Sequence, residues 1–329
     1  MTRLTDPITG KDLSSEKLKA PHNWLLQVQS CFSPNSRPSI VFGRLAWGRS
    51  LKHMRNIQSQ FRMTPEDKLD TWKLYWKNQH LATTLQYPQP QSFDEWNIIT
   101  TGPSLLSADF ESLKGVTNLG VNGSISLLEK HGIRPDFYVI TDLDFFENRM
   151  DLVTKALESG AHCFFSFTGI ARLLQFSPGL AQSSKISLIQ TVNRYYGIPQ
   201  KTRSELQVAL REHPHLHIAS GGNSKIGWSS DPRKGIFTGN TIAFIACQLA
   251  AFMARRSVRI FGMDLGGKDK EPTRAYDEQK QPRPTTLGKD YTTTILPAFT
   301  HMAKCHQGCR FYNQSRSSRL PDTIISKSL

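Results

Sequence analysis

The sequence predicts an α/β protein with a single Rossmann-like, mostly parallel sheet that carries helices on both faces. Three observations lead to this fold class. Short apolar runs recur from residue 98 onward and are separated by stretches long enough for helices. Most of these runs end in glycine or small polar residues. The segment Tyr87-Pro88-Gln89-Pro90 marks a change of direction, and no such alternation precedes it.

Seven apolar runs are predicted to be the strands of this sheet. They span residues 98–101, 116–121, 137–140, 163–165, 186–189, 258–261 and 310–312. Ser124 is expected to cap a helix that Gly132 closes, and the longest helix is expected from Thr241 to Arg255. Because ligands of such sheets bind beyond the carboxyl ends of the strands, the site is expected there.

Residues 1–90 are predicted to form a basic helical extension in front of an α/β domain at residues 91–329. Apolar residues recur in this part at helical spacing, namely Trp47, Leu51, Met54, Ile57 and Phe61. This pattern is typical of one face of a helix. Two interpretations of the face stay open: contact with the core, or a position on an anionic lipid surface.

A second helix is predicted to begin at Thr64-Pro65-Glu66-Asp67. The threonine hydroxyl suits a cap, proline suits the first helical position, and the acids suit the positive end of the helix dipole. This helix is expected to turn Leu69, Trp72 and Trp76 inward.

The chain is strongly basic. It has 41 Lys and Arg against 27 Asp and Glu, a formal net charge of +14. Between Glu16 and Glu66 there is no acidic residue, whereas eight basic residues occur. Nucleic acid, an acidic small substrate and an anionic membrane surface all suit such a charge. The hydrophobic fraction of 38% excludes a mostly disordered chain.

The sequence also indicates a cytoplasmic location. Its longest apolar run, residues 242–254, is shorter than the roughly 20 residues that span a bilayer. The first residues lack the apolar core of a secretory signal. The five cysteines are odd in number and scattered, which favours free thiols in a reducing compartment.

Polar residues at the predicted strand ends are the candidate ligand contacts. Gly102 and Ser104 follow the first strand, and Asn122 follows the second. Thr238-Gly239-Asn240 precedes the longest helix, whose first N–H groups are suited to an anion. Each of these residues also suits an ordinary turn or cap, so none identifies a ligand alone.

Two groups of residues raise the question of a metal. Asp142-Leu143-Asp144 follows the third strand and suits either a divalent cation or a helix start. His301, Cys305, His306 and Cys309, like the histidines of residues 213–217, lack a second ligand pair at zinc spacing. No metal or other cofactor is expected.

A polar loop at residues 266–288 follows the strand-end acid Asp264 and is long enough to be a substrate lid. Its basic and aromatic residues are Lys268, Lys270, Arg274, Tyr276 and Arg283.

Short motifs at these strand ends follow one another in a fixed order. They are Gly120-Val121-Asn122-Gly123-Ser124, Tyr138-Val139-Ile140-Thr141-Asp142, Thr241-Ile242-Ala243-Phe244, Gly262-Met263-Asp264-Leu265, Ala275-Tyr276-Asp277-Glu278, Ile295-Leu296-Pro297-Ala298-Phe299 and Tyr312-Asn313-Gln314-Ser315. With these motifs, residues 97–322 resemble the bacterial lipopolysaccharide-core Kdo transferases, the group that adds a third Kdo (3-deoxy-D-manno-octulosonic acid). They are more distantly similar to the family 42 sialyltransferases. The first 90 residues are outside the resemblance.

The resemblance implies a variant GT-A-like fold and a glycosyltransferase whose donor is a CMP-activated 2-keto sugar acid, CMP-Kdo above all. A CMP-sugar has one phosphate and a good leaving group, so we expect transfer without a metal, and we expect it to invert the configuration. The implied CMP pocket consists of Gly102, Ser104, Asn122, Asp142, Thr238, Gly239 and Asn240. Tyr276 would lie near the leaving phosphate.

Two departures from the sialyltransferases affect the implied site. Thr101 stands where their first loop carries asparagine, and no histidine occurs in residues 266–288, where their catalytic base lies. Asp290 is therefore the first candidate for the base and Asp264 the second, because they flank the predicted lid.

The expected partners are the CMP-sugar, a phosphorylated glycolipid acceptor and the anionic inner face of a bacterial membrane. Two other functions stay open. A pterin pyrophosphokinase-like enzyme would use ATP, with magnesium on Asp142 and Asp144. A nucleic-acid-binding protein would suit the charge, but the sequence has no recognised binding module, so nucleic acid is not expected.

Overall fold

The computed structural model describes residues 5–11, 13, 21–33, 36–66, 70–266, 274–277 and 286–327. Its strands are β1 (Phe61–Pro65), β2 (Trp72–Trp76), β3 (Gln79–Thr83), β4 (Phe93–Ile99), β5 (Thr117–Val121), β6 (Phe137–Ile140), β7 (His162–Ser166), β8 (Ile186–Ile189), β9 (Leu216–Ile218), β10 (Gly227–Ser229), β11 (Ala254–Phe261), β12 (Arg310–Asn313) and β13 (Ser326–Lys327).

The α-helices are α1 (Asn23–Ser30), α2 (Arg37–Trp47), α3 (Ile125–Lys130), α4 (Leu143–Asn148), α5 (Met150–Glu158), α6 (Phe167–Phe176), α7 (Pro178–Ser183), α8 (Arg203–Leu210), α9 (Ile242–Met253), α10 (Leu287–Asp290) and α11 (Leu296–Cys305). A π-helical turn, Tyr291–Ile295, joins α10 to α11. Short 3-10 turns span Lys52–Met54, Pro103–Ser107, Glu111–Leu113, Asn122–Ser124 and Pro232–Lys234.

Eight strands form one sheet in the order β13-β12-β11-β4-β5-β6-β7-β8. All neighbouring pairs in it are parallel. The chain proceeds from β4 outward to β8 and then returns, through α9, to β11 on the other side of β4. The order of strands thus reverses between β4 and β11, and a crevice opens at their carboxyl ends. The predicted α/β class is confirmed, and the seven predicted strands correspond to β4–β8, β11 and β12.

Both faces of this sheet are buried, as expected for parallel strands. Along β6, Phe137 and Val139 contact one hydrophobic cluster, which includes residues of α8, α9 and α11. Tyr138 and Ile140 point the other way, into a second cluster with residues of α4, α5 and α6. The helices therefore form a layer on each side, and the carboxyl edge of the sheet is left open between them.

Helix α9 is almost entirely buried, which accounts for its continuous apolar sequence. Gln248 is the polar exception. Its Oε1 accepts from the N–H groups of Ser229 and Phe237, at 3.2 and 3.0 Å, and its Nε2 donates to the Phe237 carbonyl at 2.7 Å. This side chain therefore fixes the segment that enters the loop in front of α9.

The prediction of one helix through Trp47, Leu51 and Phe61 is wrong. Helix α2 ends at Trp47, and Gly48 follows with a φ of +70°, a conformation that terminates helices. Leu51, Met54, Ile57 and Phe61 are nevertheless buried, in the second hydrophobic cluster. Of the two interpretations left open for this face, the structure shows contact with the core, without one continuous helix.

The prediction of a helix from Thr64 is also wrong, because β1, β2 and β3 form a three-stranded antiparallel sheet. Lys77 and Asn78 join β2 to β3 with φ values of +48° and +66°, as in a tight two-residue hairpin turn. Asp67 and Leu69 of the predicted helix lie outside the described residues.

The described part of the first 90 residues packs against the main sheet and its helices. Leu74 of β2 shares the second hydrophobic cluster with Phe146 of α4 and Ile170 of α6. Ile8 and Leu13 belong to the first cluster, together with α9. Helices α1 and α2 have a small cluster of their own, made by Leu25, Leu26 and Ala46.

Candidate functional site

A cavity of about 590 Å³ lies at the carboxyl edge of the sheet. Its walls are the loops that follow β4, β5, β6 and β11, together with the first turn of α9. This is the crevice where the strand order reverses, and its volume is within the range of small-molecule sites. Of the implied pocket residues, the walls include Gly102, Asn122, Asp142, Thr238 and Asn240.

The loop after β4 is attached to the loop after β11. The Gly102 N–H donates to the Gly262 carbonyl at 2.8 Å. A Cβ at residue 102 would lie below 3.0 Å from both that carbonyl oxygen and Asp264 Oδ2. Only glycine fits this approach, which explains the residue that the sequence singled out.

The carboxylate of Asp264 ties three loops together. Its Oδ2 accepts from the Ser104 N–H at 2.9 Å, and its Oδ1 accepts from the Ser317 hydroxyl at 2.7 Å. Ser104 itself shares a hydrogen bond with Ser315. Asp264 lies in the cavity wall, is 5% exposed, and has both oxygens occupied. The geometry gives Asp264 a positioning task, and Ser104 lies behind the wall.

Asn122 lies in the wall with a φ of +46°, in the left-handed region. The hydroxyl of Tyr138 donates to its carbonyl at 2.7 Å and accepts from the Ile125 N–H at 2.8 Å. The side-chain Oδ1 of Asn122 is buried and has no hydrogen-bond partner within the described part of the chain. Tyr138 therefore holds an uncommon backbone conformation that presents an amide to the cavity.

Burial raises the pKa of the Tyr138 hydroxyl far above its usual range, and hydrogen bonds from Ser124 and Ile125 oppose this only in part. The hydroxyl therefore stays protonated and remains a donor to Asn122.

The loop before α9 turns the start of that helix into the cavity. Gly239 and Asn240 have φ values of +52° and +55°. Thr241, the residue that caps α9, makes no side-chain hydrogen bond to the first turn, and no acid occurs there. Thr241, Ile242 and Ala243 line the cavity. The N–H groups of this turn, with the positive end of the helix dipole, are suited to a phosphate.

Three basic residues lie in the same wall: Arg194, Lys225 and Arg274. The Lys225 carbonyl accepts from the Gly239 N–H at 2.9 Å, so this residue is attached to the loop before α9. The cations and the helix start together make one side of the cavity suitable for an acidic ligand.

Arg194 is positioned by a loop that is fastened to the N-terminal part. His53 Nε2 donates to the Tyr195 carbonyl at 2.8 Å, and the Gln200 N–H donates to the Ser50 carbonyl at 2.9 Å. Burial lowers the pKa of His53 to about 4, and the positive charges of Arg194 and Lys52 act in the same direction. The ring is therefore neutral at pH 7.

Asp142 and Asp144, after β6, also line the cavity. Asp142 caps α4, since its Oδ1 accepts from the Asp144 N–H at 3.0 Å. Both residues are exposed. These two acids are the part of the lining that suits a divalent cation, because carboxylate oxygens are the ligands that magnesium prefers.

Tyr276 lies against the turn after β5 rather than in the cavity wall. A Cβ at Gly123 would lie below 3.0 Å from its ring. The Arg149 guanidinium is 5.6 Å from the ring centroid, and the Ala275 N–H donates to the Thr101 carbonyl at 2.8 Å. Within the predicted lid, residues 274–277 thus pack against the loops that follow β4 and β5. Lys268, Lys270 and Arg283 lie outside the described residues.

Asp290 also stands outside the wall, at the end of α10. Thr286 and Leu287, at the start of this helix, line the cavity. The Asp290 N–H donates to the Thr286 carbonyl at 2.8 Å, so the aspartate lies one helical turn beyond the wall on the same face.

The histidines and cysteines near α11 have other partners. His301 Nε2 contacts the His217 carbonyl at 3.0 Å, and His306 Nε2 contacts the Cys309 carbonyl at 2.9 Å. Across the described residues, no group of three or more His, Cys, Asp or Glu side chains is arranged to hold a metal ion. Nor is any helix in the described ranges both long and apolar enough to cross a membrane.

Several residues of the site were not found from the sequence. Arg194 follows β8, five residues after the strand ends, and Lys225 lies between β9 and β10, outside the main sheet. Tyr138 and Gln248 act on the site from inside the core. Gln248 gave a signal, as a lone polar residue in an apolar helix, and Tyr138 opens one of the strand-end motifs without an assigned role. Arg194 and Lys225 gave no signal that the sequence analysis used.

No family model matches the chain. Two curated proteins resemble it, both named "probable 3-deoxy-manno-octulosonic acid transferase". That of Escherichia coli (strain K12) is 25% identical over 241 residues, 70% of this chain and 81% of the relative. That of Salmonella typhimurium (strain LT2) is 23% identical over 257 residues, 74% of this chain and 90% of the relative. The resemblance that the strand-end motifs indicate is thereby confirmed.

Two solved structures match part of this chain at low similarity. The MAf glycosyltransferase from Magnetospirillum magneticum AMB-1 is 16% identical, with a TM-score of 0.43; the match covers 73% of this chain and 34% of that chain. The sialyltransferase CST-II, solved with a trisaccharide acceptor and CMP, is 13% identical, with a TM-score of 0.37, and the match covers 72% of this chain and 86% of that one.

Proposed function

We propose that this chain is a glycosyltransferase that moves a 2-keto sugar acid, Kdo above all, from a CMP-activated donor to a phosphorylated glycolipid acceptor. The observation that carries the proposal is the composition of one cavity. The start of α9 and the cations Arg194 and Lys225 line it together at the switch point of the sheet. The curated relatives, named probable Kdo transferases, support the same activity.

In this proposal, the donor's phosphate lies at the first turn of α9. Its N–H groups and the ammonium of Lys225 stabilise the negative charge of the phosphate, which grows as CMP leaves. The amide of Asn122 binds a polar edge of the nucleoside, because its Oδ1 is buried and otherwise without a partner in the described part of the chain. Arg194 binds the carboxylate that distinguishes a 2-keto sugar acid from a neutral sugar.

The reaction is a single displacement at C2 of the sugar. The acceptor hydroxyl oxygen forms a bond to C2 from the face opposite the phosphate. The C2–O bond to the phosphate breaks, and CMP leaves with that electron pair. The hydroxyl proton passes to a carboxylate base, and the configuration at C2 inverts.

We propose Asp290 as this base. We also propose that the hydroxyl of Tyr276 stabilises the charge on the leaving phosphate. No metal takes part, because CMP is a good leaving group with one phosphate.

Substitution of the two acids tests this assignment. Asp290→Asn is expected to lower kcat by about 10²–10⁴-fold with little change in the KM for the donor. Asp264→Asn is expected to weaken donor binding and stability together, because it disturbs the bonds to Ser104 and Ser317. Asp322→Asn, at an exposed position, is the control. Near-normal turnover of Asp290→Asn, with loss of turnover in Asp264→Asn and no loss of donor binding, would make Asp264 the base.

A thermal-shift screen identifies the nucleotide. CMP, CDP, UDP, ATP and GTP are each added with and without Mg²⁺, and the proposal expects the largest rise in Tm from CMP without metal.

The second candidate function, an ATP-using pyrophosphoryl transferase, is favoured by the positions of Asp142 and Asp144 in the wall. It expects stabilisation by ATP only when Mg²⁺ is present. Release of CMP from CMP-Kdo, measured in the presence of EDTA, then tests the donor and the metal independence directly.

We also propose that the enzyme works at the inner face of the bacterial membrane, where a phosphorylated glycolipid acceptor would be present. The exposure of the cavity at one edge of the sheet supports this, since an acceptor anchored in lipid must reach the donor from outside.

A further inference from the structure

The outer face of the N-terminal helix pair, α1 and α2, carries exposed apolar side chains. Trp24 is 62% exposed, Val41 51% and Leu45 58%. They account for three of the seven large apolar side chains that are exposed in the described part of the chain. Exposed large apolar side chains on two helices that pack together are what a surface in contact with another apolar phase requires.

The opposite side of the helix pair is fixed to the protein. Gln29 Nε2 donates to the Arg55 carbonyl at 2.7 Å, and Trp47 Nε1 donates to the Ile57 carbonyl at 3.3 Å. Position 43 can only be glycine, because a Cβ there would lie below 3.0 Å from the Arg55 carbonyl. These contacts determine which side of α1 and α2 faces inward.

Helical spacing then places the exposed residues on the outward side. On α2, Ser39, Gly43 and Ala46 are buried. Val41 and Leu45, four residues apart, lie on the other side of the same helix. On α1, Leu25 and Leu26 are buried, whereas Trp24 is exposed.

Basic side chains surround these apolar residues. Arg37 and Arg44 lie on the outward side of α2, at the spacing that places them beside Val41 and Leu45. Arg49 and Lys52 follow the helix directly, and all four are exposed. No acidic residue occurs between Glu16 and Glu66 to offset them.

We propose that this outer face, defined by Trp24, Val41, Leu45, Arg37 and Arg44, docks onto the surface of an anionic lipid bilayer. The apolar side chains enter the boundary between headgroups and acyl chains, and the guanidinium groups pair with anionic headgroups. A bilayer suits the face because it offers an apolar layer and anionic headgroups side by side. It also fits an apolar surface of irregular shape.

The docking surface differs from the one that the sequence suggested. Leu51, Met54, Ile57 and Phe61 are buried in the core and are not accessible to lipid. Deleting residues 1–62 would therefore remove core side chains as well as the docking face. Point variants on the outer face are the sharper test.

Sedimentation with lipid vesicles tests the proposal on the full-length chain. The vesicles are made of phosphatidylglycerol with phosphatidylethanolamine, or of phosphatidylcholine alone. The unaltered chain is expected to sediment with the anionic vesicles and, more weakly, with the neutral ones. Trp24→Ser/Val41→Ser/Leu45→Ser and Arg37→Gln/Arg44→Gln are each expected to lower the partition coefficient about tenfold or more. Added salt reproduces the effect of the arginine variant, because it screens the charges.

Matched variants elsewhere on the surface serve as controls. Phe176→Ser/Val208→Ser removes apolar side chains that are 59% and 65% exposed, and Arg211→Gln/Arg256→Gln removes two exposed cations. Both controls should bind vesicles as the unaltered chain does, with Tm unchanged in all variants.

Two outcomes would overturn the proposal: equal binding of the docking-face variants and their controls, or no binding of the unaltered chain to anionic vesicles. In the second case, dimerisation that the triple variant abolishes would assign the face to a second copy. The proposal does not depend on the glycosyltransferase activity, since vesicle binding is measured without any sugar donor.

Discussion

Gly102 determines how closely the two loops on either side of the switch point approach each other. Its backbone lies against the Gly262 carbonyl and the Asp264 carboxylate. The same carboxylate holds the next turn through Ser104. A single residue without a side chain thus sets the shape of the cavity wall after β4.

Gly102→Ala is expected to lower the free energy of unfolding by about 1–3 kcal/mol, because the added methyl group would displace backbone and a hydrogen-bonded carboxylate. CMP-sugar binding should weaken as well, because the loop forms part of the wall. Denaturant unfolding and calorimetric titration with CMP measure the two effects.

Gly179→Ala is the matched control, since a Cβ there has nothing within 4 Å. If Gly102→Ala were as stable as this control and bound CMP equally well, the close approach at residue 102 would not determine the site.

At the scale of single residues, the sequence indicates which positions face the site better than it indicates what they do. Asn122 and Asn240 follow predicted strand or helix boundaries, and both line the cavity. Their left-handed φ values depend on tertiary contacts such as the one from Tyr138. Asp264 is in the wall as well, but its two hydrogen bonds come from residues far away in the sequence.

At the scale of elements, predictions are reliable where apolar runs are buried on both faces. The strands β4–β8 are of this kind. Trp72, Leu74 and Trp76 fit an alternating pattern as well as a helical one, and an N-terminal capping pattern at Thr64 favoured the helix. The structure makes them a strand because β1 and β3 pair with it on both sides.

The small sheet β1–β3 is expected to unfold together with the main sheet. Leu74 of β2 is 1% exposed and packs in the same cluster as Phe146. Leu74→Ala should therefore cost about 2–5 kcal/mol in a single unfolding transition. Urea unfolding followed by circular dichroism and by tryptophan fluorescence measures the loss of unfolding free energy. It also shows whether the two signals change in one transition.

Val208→Ala, at a position 65% exposed, should change the stability by less than about 0.5 kcal/mol. A separate early transition in Leu74→Ala, with the main transition unmoved, would mean that β1–β3 is an independent unit.

At the scale of the whole molecule, the stability is expected to fall in acid because of buried histidines. Burial lowers the pKa of His53 to about 4, and Arg194 and Lys52 contribute to this; burial likewise lowers that of His162 to about 4. Below the ordinary histidine pKa of 6.5, these histidines are protonated in the unfolded chain but stay neutral in the folded chain. The stabilising effect is therefore present above about pH 6.5 and is lost as the pH falls toward 4.

The expected loss of unfolding free energy is up to about 3 kcal/mol for each histidine. Denaturant unfolding at a series of pH values measures it. His53→Gln keeps a donor for the Tyr195 carbonyl but cannot be protonated, so its stability should depend less steeply on pH. His80→Gln, at an exposed position, should retain the original dependence. If the unfolding free energy depended equally steeply on pH in the unaltered chain, His53→Gln and His80→Gln, the assignment to His53 would be contradicted.

The arrangement of the whole molecule also decides which charges reach the cavity. Half of the chain's positive excess lies in the first 90 residues. His53 and Ser50 from this part hold the loop that carries Arg194 into the wall. The basic N-terminal part thus supports the site as well as providing the exposed face of α1 and α2.

The sequence by itself determined the class of fold, the positions of the main strands along the chain and the edge of the sheet where a ligand is expected. It could do so because runs of apolar residues and the small residues that end them are local features. The tertiary structure decided the rest. It placed Arg194 and Lys225 in the wall, gave Asp264 hydrogen bonds to two other loops, and made a segment with a helical pattern a strand of the small sheet. Each of these depends on contacts between residues far apart in the chain, which no local pattern records.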